Sequence, residues 1–183
     1  KLAAKKKHIE ALFLLGQVYR GDFDNDIIIF RNEALSIKYF IETFKVSREL
    51  AWEDLLNLNP FQNIKDIGLL DSIIETGMKK ESPKAYYYKA ELLLETDGGI
   101  DKHFTDIVEY FKMALCKGYL RAAEKLFYIY QSDLPIYGRG KYKDQEKAYE
   151  YYKHVTNYRF TEGQAEQFGQ YGLPVSTCRM SHN

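Results

Sequence analysis

The chain of 183 residues is long enough to bury a core, and its composition, 45% hydrophobic and 28% charged, is that of a globular protein. Its 26 basic and 26 acidic residues balance, so no overall field attracts phosphate backbones, and we expect no nucleic-acid partner. No run approaches the roughly 20 apolar residues of a membrane-spanning helix, so we expect a soluble chain without membrane insertion.

The start of the chain and its cysteines do not identify a compartment. The chain begins at Lys1 and not at methionine, which leaves open that a signal peptide or an upstream region has been removed. The sequence favours neither a cytoplasmic nor a periplasmic location. Two cysteines, Cys116 and Cys178, are too few for a disulfide framework, and we predict that Cys116 is a small buried apolar residue of a helix.

Helical spacing near the start of the chain predicts a first pair of helices. Small and large apolar residues recur there at steps of three and four, as on one face of a helix. The first helix carries Ala11, Leu15, Gly16 and Tyr19, and the second carries Ser36, Tyr39 and Phe40.

An acidic stretch connects these two helices. Asp22, Asp24, Asp26 and Glu33 match the first, third, fifth and twelfth positions of a calcium-binding loop. The sixth position, where such a loop needs glycine, is Ile27. We therefore predict an acidic connection without a metal, with Glu33 near the start of the second helix, where negative charge is favourable. Binding of a cation by these carboxylates stays open at this point.

Two further pairs are indicated by alanines and by the glycines that close them. The second opens at Ala51 and Leu55 and closes at Gly77, and the third opens at Ala85, Ala90 and Leu93 and closes at Gly118.

Local signals predict where the helices of the third pair begin and end. Ser82 before Pro83 is typical of an N-cap followed by the first helical residue. Asp97, Gly98 and Gly99 predict a turn between the two helices of this pair.

The clearest pattern covers residues 107–130 and predicts two helices with Gly118 between them. Gly118 would supply the left-handed residue that ends the first helix. Alanines where the helices cross would let the backbones approach, and aromatic residues would fill the space beside them. The pattern positions are Tyr110, Phe111, Ala114, Ala122, Leu126 and Tyr130.

A longer loop and a further helix follow. Proline and glycines mark the loop, and small and aromatic residues mark the helix. We also predict a short capping helix over residues 162–171 that covers the last pair, and a tail over 172–183. The loop residues are Pro135, Gly138 and Gly140, and the helix residues are Ala148, Tyr151 and Tyr152.

These positions resemble the Sel1-like repeat family, a relative of the tetratricopeptide repeats, strongly in the first, third and fourth pairs and weakly in the second. Phe127 stands where that family usually has glycine after Leu126, which implies looser packing there. The first alanines of the four pairs are 40, 34 and 37 residues apart, close to the period of helix-pair repeats.

The resemblance implies an all-α solenoid of about four antiparallel helix pairs. The implied plan is a single solenoid over residues 1–171, with a C-terminal capping helix and a tail. Its units are 8–47, 48–81, 82–118 and 119–159, followed by the capping helix 162–171 and the tail 172–183.

No familiar catalytic, cofactor or metal motif occurs in the sequence. The histidines His8, His103, His154 and His182 are far apart, and in a solenoid each repeat touches only its neighbours, so we do not expect them to share a metal. We therefore predict that the chain is not an enzyme and that it needs neither a cofactor nor a metal.

The concave side of such a solenoid is the predicted binding surface, because the first helix of each pair lines it. Most tyrosines fall on packing positions, including Tyr19, Tyr39, Tyr110, Tyr130, Tyr151 and Tyr152, whereas Tyr87 and Tyr128 fall off that frame and are predicted to contact a partner. The predicted surface comprises Phe13, Gln17, Arg20, Glu53, Asn57, Lys84, Tyr87, Glu91, Glu95, Arg121, Glu124, Tyr128 and Gln131.

Three functions are consistent with these features. A surface of aromatic residues and both charges favours a protein partner, so the first is an interaction module, a monomer when free, that binds another protein. The second is a narrower version, an immunity protein that neutralises a bacterial secreted toxin or effector by direct binding. The third and weakest is a cell-wall or β-lactam hydrolase, which rests on fold analogy alone.

Overall fold

A computed structural model describes residues 2–21 and 31–161, with side chains placed at 8–21 and 31–155. Within these ranges every regular element is a helix and there is no strand, which confirms the all-α prediction. The predicted capping helix 162–171, the tail 172–183 and the aspartates of the calcium-like pattern lie outside the described residues. None of the described helices is both long and apolar enough to cross a membrane.

The chain forms two compact units, Lys1–Lys80 and Glu81–Asn183. The first contains α1 (Leu2–Arg20), α2 (Glu33–Val46), α3 (Trp52–Asn57), α4 (Pro60–Asn63) and α5 (Ile67–Lys79). The second contains α6 (Pro83–Glu95), α7 (Gly99–Cys116), α8 (Arg121–Gln131), a short 3₁₀ helix (Pro135–Tyr137) and α9 (Gln145–Thr161).

Helices α1 and α2 of the first unit pack at a close crossing between Gly16 and Phe40. A Cβ atom at Gly16 would lie only 2.6 Å from the Phe40 ring, which is fully buried. The buried Ser36 hydroxyl donates a hydrogen bond of 2.8 Å to the Gly16 carbonyl. The predicted packing roles of Gly16, Ser36 and Phe40 are therefore confirmed, and glycine is what allows the backbone of α1 to approach α2 so closely.

The middle of the first unit departs from a regular helix pair. Ala51, predicted to open a helix, has φ +64° and only precedes the six-residue α3. Asn59 has φ +46°, and Pro60 starts α4 because its ring fits the first turn of a helix. Helix α5 begins regularly, since the Asp66 side chain accepts a hydrogen bond from the Leu69 amide at 3.0 Å. The predicted first helix of the second pair is thus broken into α3 and α4.

In the second unit, helices adjacent in the chain pack together: α6 on α7, α7 on α8, and α8 on α9. Small residues line these contacts, which lets the helix backbones approach and the aromatic rings fill the remaining space. The fully buried side chains include Ala85, Ala90, Ile107, Phe111, Ala114, Ala122, Ala123, Leu126 and Ile129.

Glycines end or separate the helices of the second unit as predicted. Gly118 has φ +91°, its amide donates to the Leu115 carbonyl at 2.9 Å, and the Tyr119 amide donates to the Ala114 carbonyl at 2.9 Å. This pair of bonds is a Schellman motif, which satisfies the last carbonyls of α7. Gly98, between α6 and α7, also has positive φ. Ser82 precedes Pro83 as the N-cap residue of α6 without a side-chain cap hydrogen bond.

Several predicted packing residues are not buried. Ala11 and Leu15 are exposed on α1, and Tyr152 on α9 is 46% exposed. The prediction for Cys116 is also wrong, because this residue is disulfide-bonded and only half-buried. By contrast Tyr130 and Tyr151 are buried, with their rings stacked at a centroid distance of 6.0 Å.

Candidate interaction site

In the first unit, two predicted surface residues are taken up by internal packing. The Phe13 ring lies 5.7 Å from the Phe40 ring. The Arg20 guanidinium lies 5.3 Å from the same ring and forms an ion pair of 2.5 Å with Asp54. Their predicted role at an open surface is corrected, because both side chains are half-buried against α2 and α3. Of the other predicted residues here, Gln17 is half-buried, and Glu53 and Asn57 are exposed.

In the second unit the structure brings most of the predicted residues onto α6 and α8. The prediction that Tyr87 is available for contact is wrong, because its side chain is only 8% exposed. Its ring packs against Phe111 at 5.5 Å and against Tyr119 at 4.9 Å. Lys84, Glu91 and Glu124 are half-buried, and Glu95, Arg121, Tyr128 and Gln131 are exposed.

A group of tyrosines and charged residues forms the most distinctive feature of this unit. Its members come from α6, from the start and outer side of α8, and from the 3₁₀ helix, and they interact through ring contacts, an ion pair and through-space charge. We call it the tyrosine cluster, and it consists of Tyr87, Tyr88, Glu91, Tyr119, Arg121, Lys125, Tyr128 and Tyr137.

An ion pair between Glu91 and Lys125 lies within the tyrosine cluster. The Lys125 Nζ donates to Glu91 Oε2 at 3.0 Å, and the side chains are 26% and 20% exposed for Lys125 and Glu91. The other carboxylate oxygen, Glu91 Oε1, is buried and accepts no hydrogen bond from the described part of the chain. A buried acceptor without a donor costs free energy, so this pair is incompletely satisfied as it stands.

Burial shifts the pKa values of this pair. Loss of hydration raises the pKa of Glu91, and the charge and hydrogen bond of Lys125 offset only part of that effect. Burial alone would lower the pKa of Lys125. The charge and hydrogen bond of Glu91, together with the charges of Tyr137 and Glu124, raise it by more, so the pKa of the amine lies above its ordinary value. Lys125 therefore stays charged at neutral pH and holds the carboxylate through one of its two oxygens.

The tyrosines around this pair are also withdrawn from water. Burial raises the pKa of the Tyr88 hydroxyl to about 12, and burial followed by the charge of Glu91 raises that of Tyr87 further still. Burial likewise raises the pKa of Tyr119 and of Tyr137. All four phenols therefore stay neutral at physiological pH and present polarisable faces and hydroxyl groups beside the carboxylate.

Apolar side chains extend the cluster to the protein surface. Tyr128 is 37% exposed while its ring stacks on that of Tyr137 at 6.1 Å. Leu134 and Ile136, on the loop that carries Tyr137, are also exposed. Tyrosine is one of the residue types enriched at protein interfaces, and the exposed Tyr128 belongs to the same cluster as the half-buried ion pair.

Sequence reasoning missed Lys125, Tyr88, Tyr119 and Tyr137. A signal for Lys125 was present, because Glu91 and Lys125 are 34 residues apart, close to one helix-pair period. Arg20 and Asp54 in the first unit are separated by the same 34 residues. No comparable signal marks Tyr137, whose position depends on the path of the loop after α8.

In the described part of the chain, no three or more His, Cys, Asp or Glu side chains are grouped so as to hold a metal ion. The class of protein that these observations define is an all-helical one with a partly buried, tyrosine-rich charged cluster. Comparison with protein-family models, with characterised proteins and with solved structures gave no match.

Proposed function

We propose that this chain is an interaction module of the Sel1-like, helix-pair type that binds another protein through the tyrosine cluster. The observation that carries the proposal is the cluster itself. It combines an ion pair in which one carboxylate oxygen of Glu91 lacks a hydrogen bond from the described residues with an exposed tyrosine, Tyr128, and the exposed apolar loop residues Leu134 and Ile136. Such a surface loses little side-chain entropy on binding, because the rings are already held by packing.

The repeat character of the proposal draws support from two ion pairs. Arg20 of α1 pairs with Asp54 of α3 in the first unit, and Glu91 of α6 pairs with Lys125 of α8 in the second, each over 34 residues. Pairs close to one period apart are what a helix-pair repeat produces, since equivalent helices of consecutive repeats are neighbours; the first alanines of the pairs concerned are 40 and 37 residues apart. Each unit thus contains one such pair between helices that the repeat plan makes equivalent.

A quantitative capture experiment tests the proposed function. The immobilised protein is incubated with extract of its source cells, and the amount of each retained protein is compared with the amount that the Tyr128→Ala variant retains. We expect the original chain to retain a protein in fixed stoichiometry and the variant to lose most of it, because truncating a tyrosine that is an interface hot spot costs about 2 kcal/mol or more. Far-ultraviolet circular dichroism should be the same for both.

Tyr149→Ala is the matched control for this experiment. Tyr149 is 61% exposed on α9, does not belong to the tyrosine cluster and contacts Lys153 of its own helix. Its replacement should leave capture intact. Equal capture by the Tyr128 variant, or no stoichiometric partner for the original chain, would count against the proposal.

A further inference from the structure

The ion pair in the tyrosine cluster indicates which side chain the proposed partner presents. Lys125 is a point-like cation that occupies Glu91 Oε2, while Oε1 is left without a hydrogen bond from the described residues. A planar guanidinium donates two parallel hydrogen bonds and satisfies both oxygens of a carboxylate at once. An arginine would therefore make a more complete pair with Glu91 than Lys125 does.

The surroundings of Glu91 also favour a cation. Besides Lys125, the charged group that acts on Glu91 is Glu95, and the other carboxylate that acts on Lys125 is Glu124, so acidic groups outnumber the one cation of the pair. The neighbouring aromatic ring is that of Tyr88, which is half-buried and whose hydroxyl the charge of Glu91 reaches. Tyrosine faces attract cations and stack well on guanidinium groups.

Lys125 has an alternative electrostatic neighbour if it is displaced. Glu124 also acts on the Lys125 amine through space, and the Lys125 side chain is partly exposed. An incoming guanidinium can thus replace the Lys125 amine at Glu91 without leaving that amine buried and uncompensated.

From this geometry we infer that Glu91 is the receiving site for an arginine side chain of the partner protein, which displaces Lys125 and lies beside the half-buried Tyr88 ring. The inference rests on the proposed function. It names the side chain that the partner must present, and it assigns the incomplete Glu91–Lys125 pair to the unbound state.

A titration with short capped peptides tests the inference without knowledge of the partner. The ¹⁵N-labelled chain is titrated with acetyl-Gly-Arg-Gly-amide and, separately, with the same peptide carrying citrulline, the neutral isostere of arginine. We expect saturable shifts confined to amides near Glu91 and Lys125 with the arginine peptide, and at least about tenfold weaker binding with citrulline, the loss that goes with one charged hydrogen bond. Equal binding of the two peptides would overturn the inference.

Two substitutions test whether the Glu91 carboxylate itself receives the arginine. Glu91→Gln should weaken binding of the arginine peptide by about tenfold, whereas Glu109→Gln, exposed on α7 and outside the tyrosine cluster, should have little effect. Lys125→Met removes the competing cation and should strengthen binding several-fold. If Lys125→Met instead abolishes binding, or if acetyl-Gly-Glu-Gly-amide binds and the arginine peptide does not, the site is an anion site and the inference fails.

The outcomes distinguish this inference from the proposed function. If the full chain captures a partner through Tyr128 but Glu91→Gln captures it equally well, the interaction surface stands and the arginine site is wrong. If the peptide titration succeeds while no protein is captured, the arginine site stands and the proposed function is wrong.

Discussion

At the scale of single residues, a single added methyl group at Gly16 should disturb the packing of α1 on α2. The new Cβ would lie 2.6 Å from the Phe40 ring, which is fully buried. We expect Gly16→Ala to lower the free energy of unfolding by about 1–3 kcal/mol, the usual cost of overpacking a core. Urea denaturation followed by circular dichroism measures this difference.

Gly68 provides the control for that substitution. It is exposed in α5, and an added Cβ would meet only the Asp66 carboxylate, at 3.4 Å. Gly68→Ala should be neutral or stabilising by up to about 1 kcal/mol, since alanine is the better helix former. Equal midpoints for the two variants would show that the crossing at Gly16 is looser than the structure has it.

Because of the buried tyrosines, the free energy of unfolding should depend on pH in the alkaline range. Burial raises the pKa of Tyr88 to about 12 from its ordinary value of 10.0. Between those values the folded chain binds more protons than the unfolded chain, so the free energy of unfolding should fall as pH rises through this window. Below pH 10.0 the contribution is fully present.

Replacing the phenol tests this dependence. Tyr88→Phe removes one raised pKa, so its unfolding free energy should fall less steeply with pH than that of the original chain across the window from pH 10.0 to about 12. Urea midpoints measured at a series of pH values give the two slopes. Identical slopes would mean that Tyr88 ionises as easily in the folded chain as in the unfolded one.

Tyr87 shows why single residues of the site were harder to predict than the helices. Its position in the sequence pattern lies off the face that packs on the next helix, and this suggested exposure. In the structure its ring is enclosed from three directions, by Tyr88, Phe111 and Tyr119. Two of those neighbours lie 24 and 32 residues further along the chain, and helical periodicity carries no information about such contacts.

At the scale of elements, the Schellman motif at the end of α7 depends on a left-handed residue. Gly118 has φ +91°, and an added Cβ would meet nothing within 4 Å, so any effect of substitution comes from the backbone alone. We expect Gly118→Ala to cost about 1–2 kcal/mol, the penalty for a left-handed L-residue. Asparagine tolerates this conformation better, so Gly118→Asn should cost less.

The relative stability of the Gly118→Asn and Gly118→Ala variants tests this explanation. Thermal unfolding of the original chain, the asparagine variant and the alanine variant should show decreasing stability in that order. A reversed order would contradict the backbone explanation, because asparagine is the larger side chain and would be worse only if space were limiting.

Elements whose ends carry their own chemistry could be predicted from sequence, and those shaped by tertiary packing could not. Gly118, the turn at Gly98 and the start of α6 at Pro83 all follow from local backbone preferences. The break between α3 and α4 was only partly visible, in the pair Asn59–Pro60. Ala51, with φ +64° and its side chain buried, takes a conformation that alanine rarely adopts and that local sequence does not indicate.

At the scale of the whole molecule, a destabilising substitution in one compact unit should promote local unfolding of that unit and not of the other. Each has a buried core of its own, with Phe40, Leu55 and Ile73 in the first and Phe111 and Leu126 in the second. Native proteins open locally, in contiguous units held together by their own contacts, as well as globally. We therefore expect a destabilising substitution to loosen its own unit first.

Hydrogen exchange followed by mass spectrometry, with Gly16→Ala and Gly118→Ala as reciprocal controls, tests this expectation in the intact chain. Gly16→Ala should speed exchange in peptides from residues 8–21 and 31–80 and leave those from 83–155 close to the original rates, and Gly118→Ala should do the reverse. The reason is that the overpacked ring and the strained turn each lie inside one unit, so the cost is relieved by opening that unit alone. Faster exchange throughout the chain in both variants would instead require that the two cores open as one cooperative body.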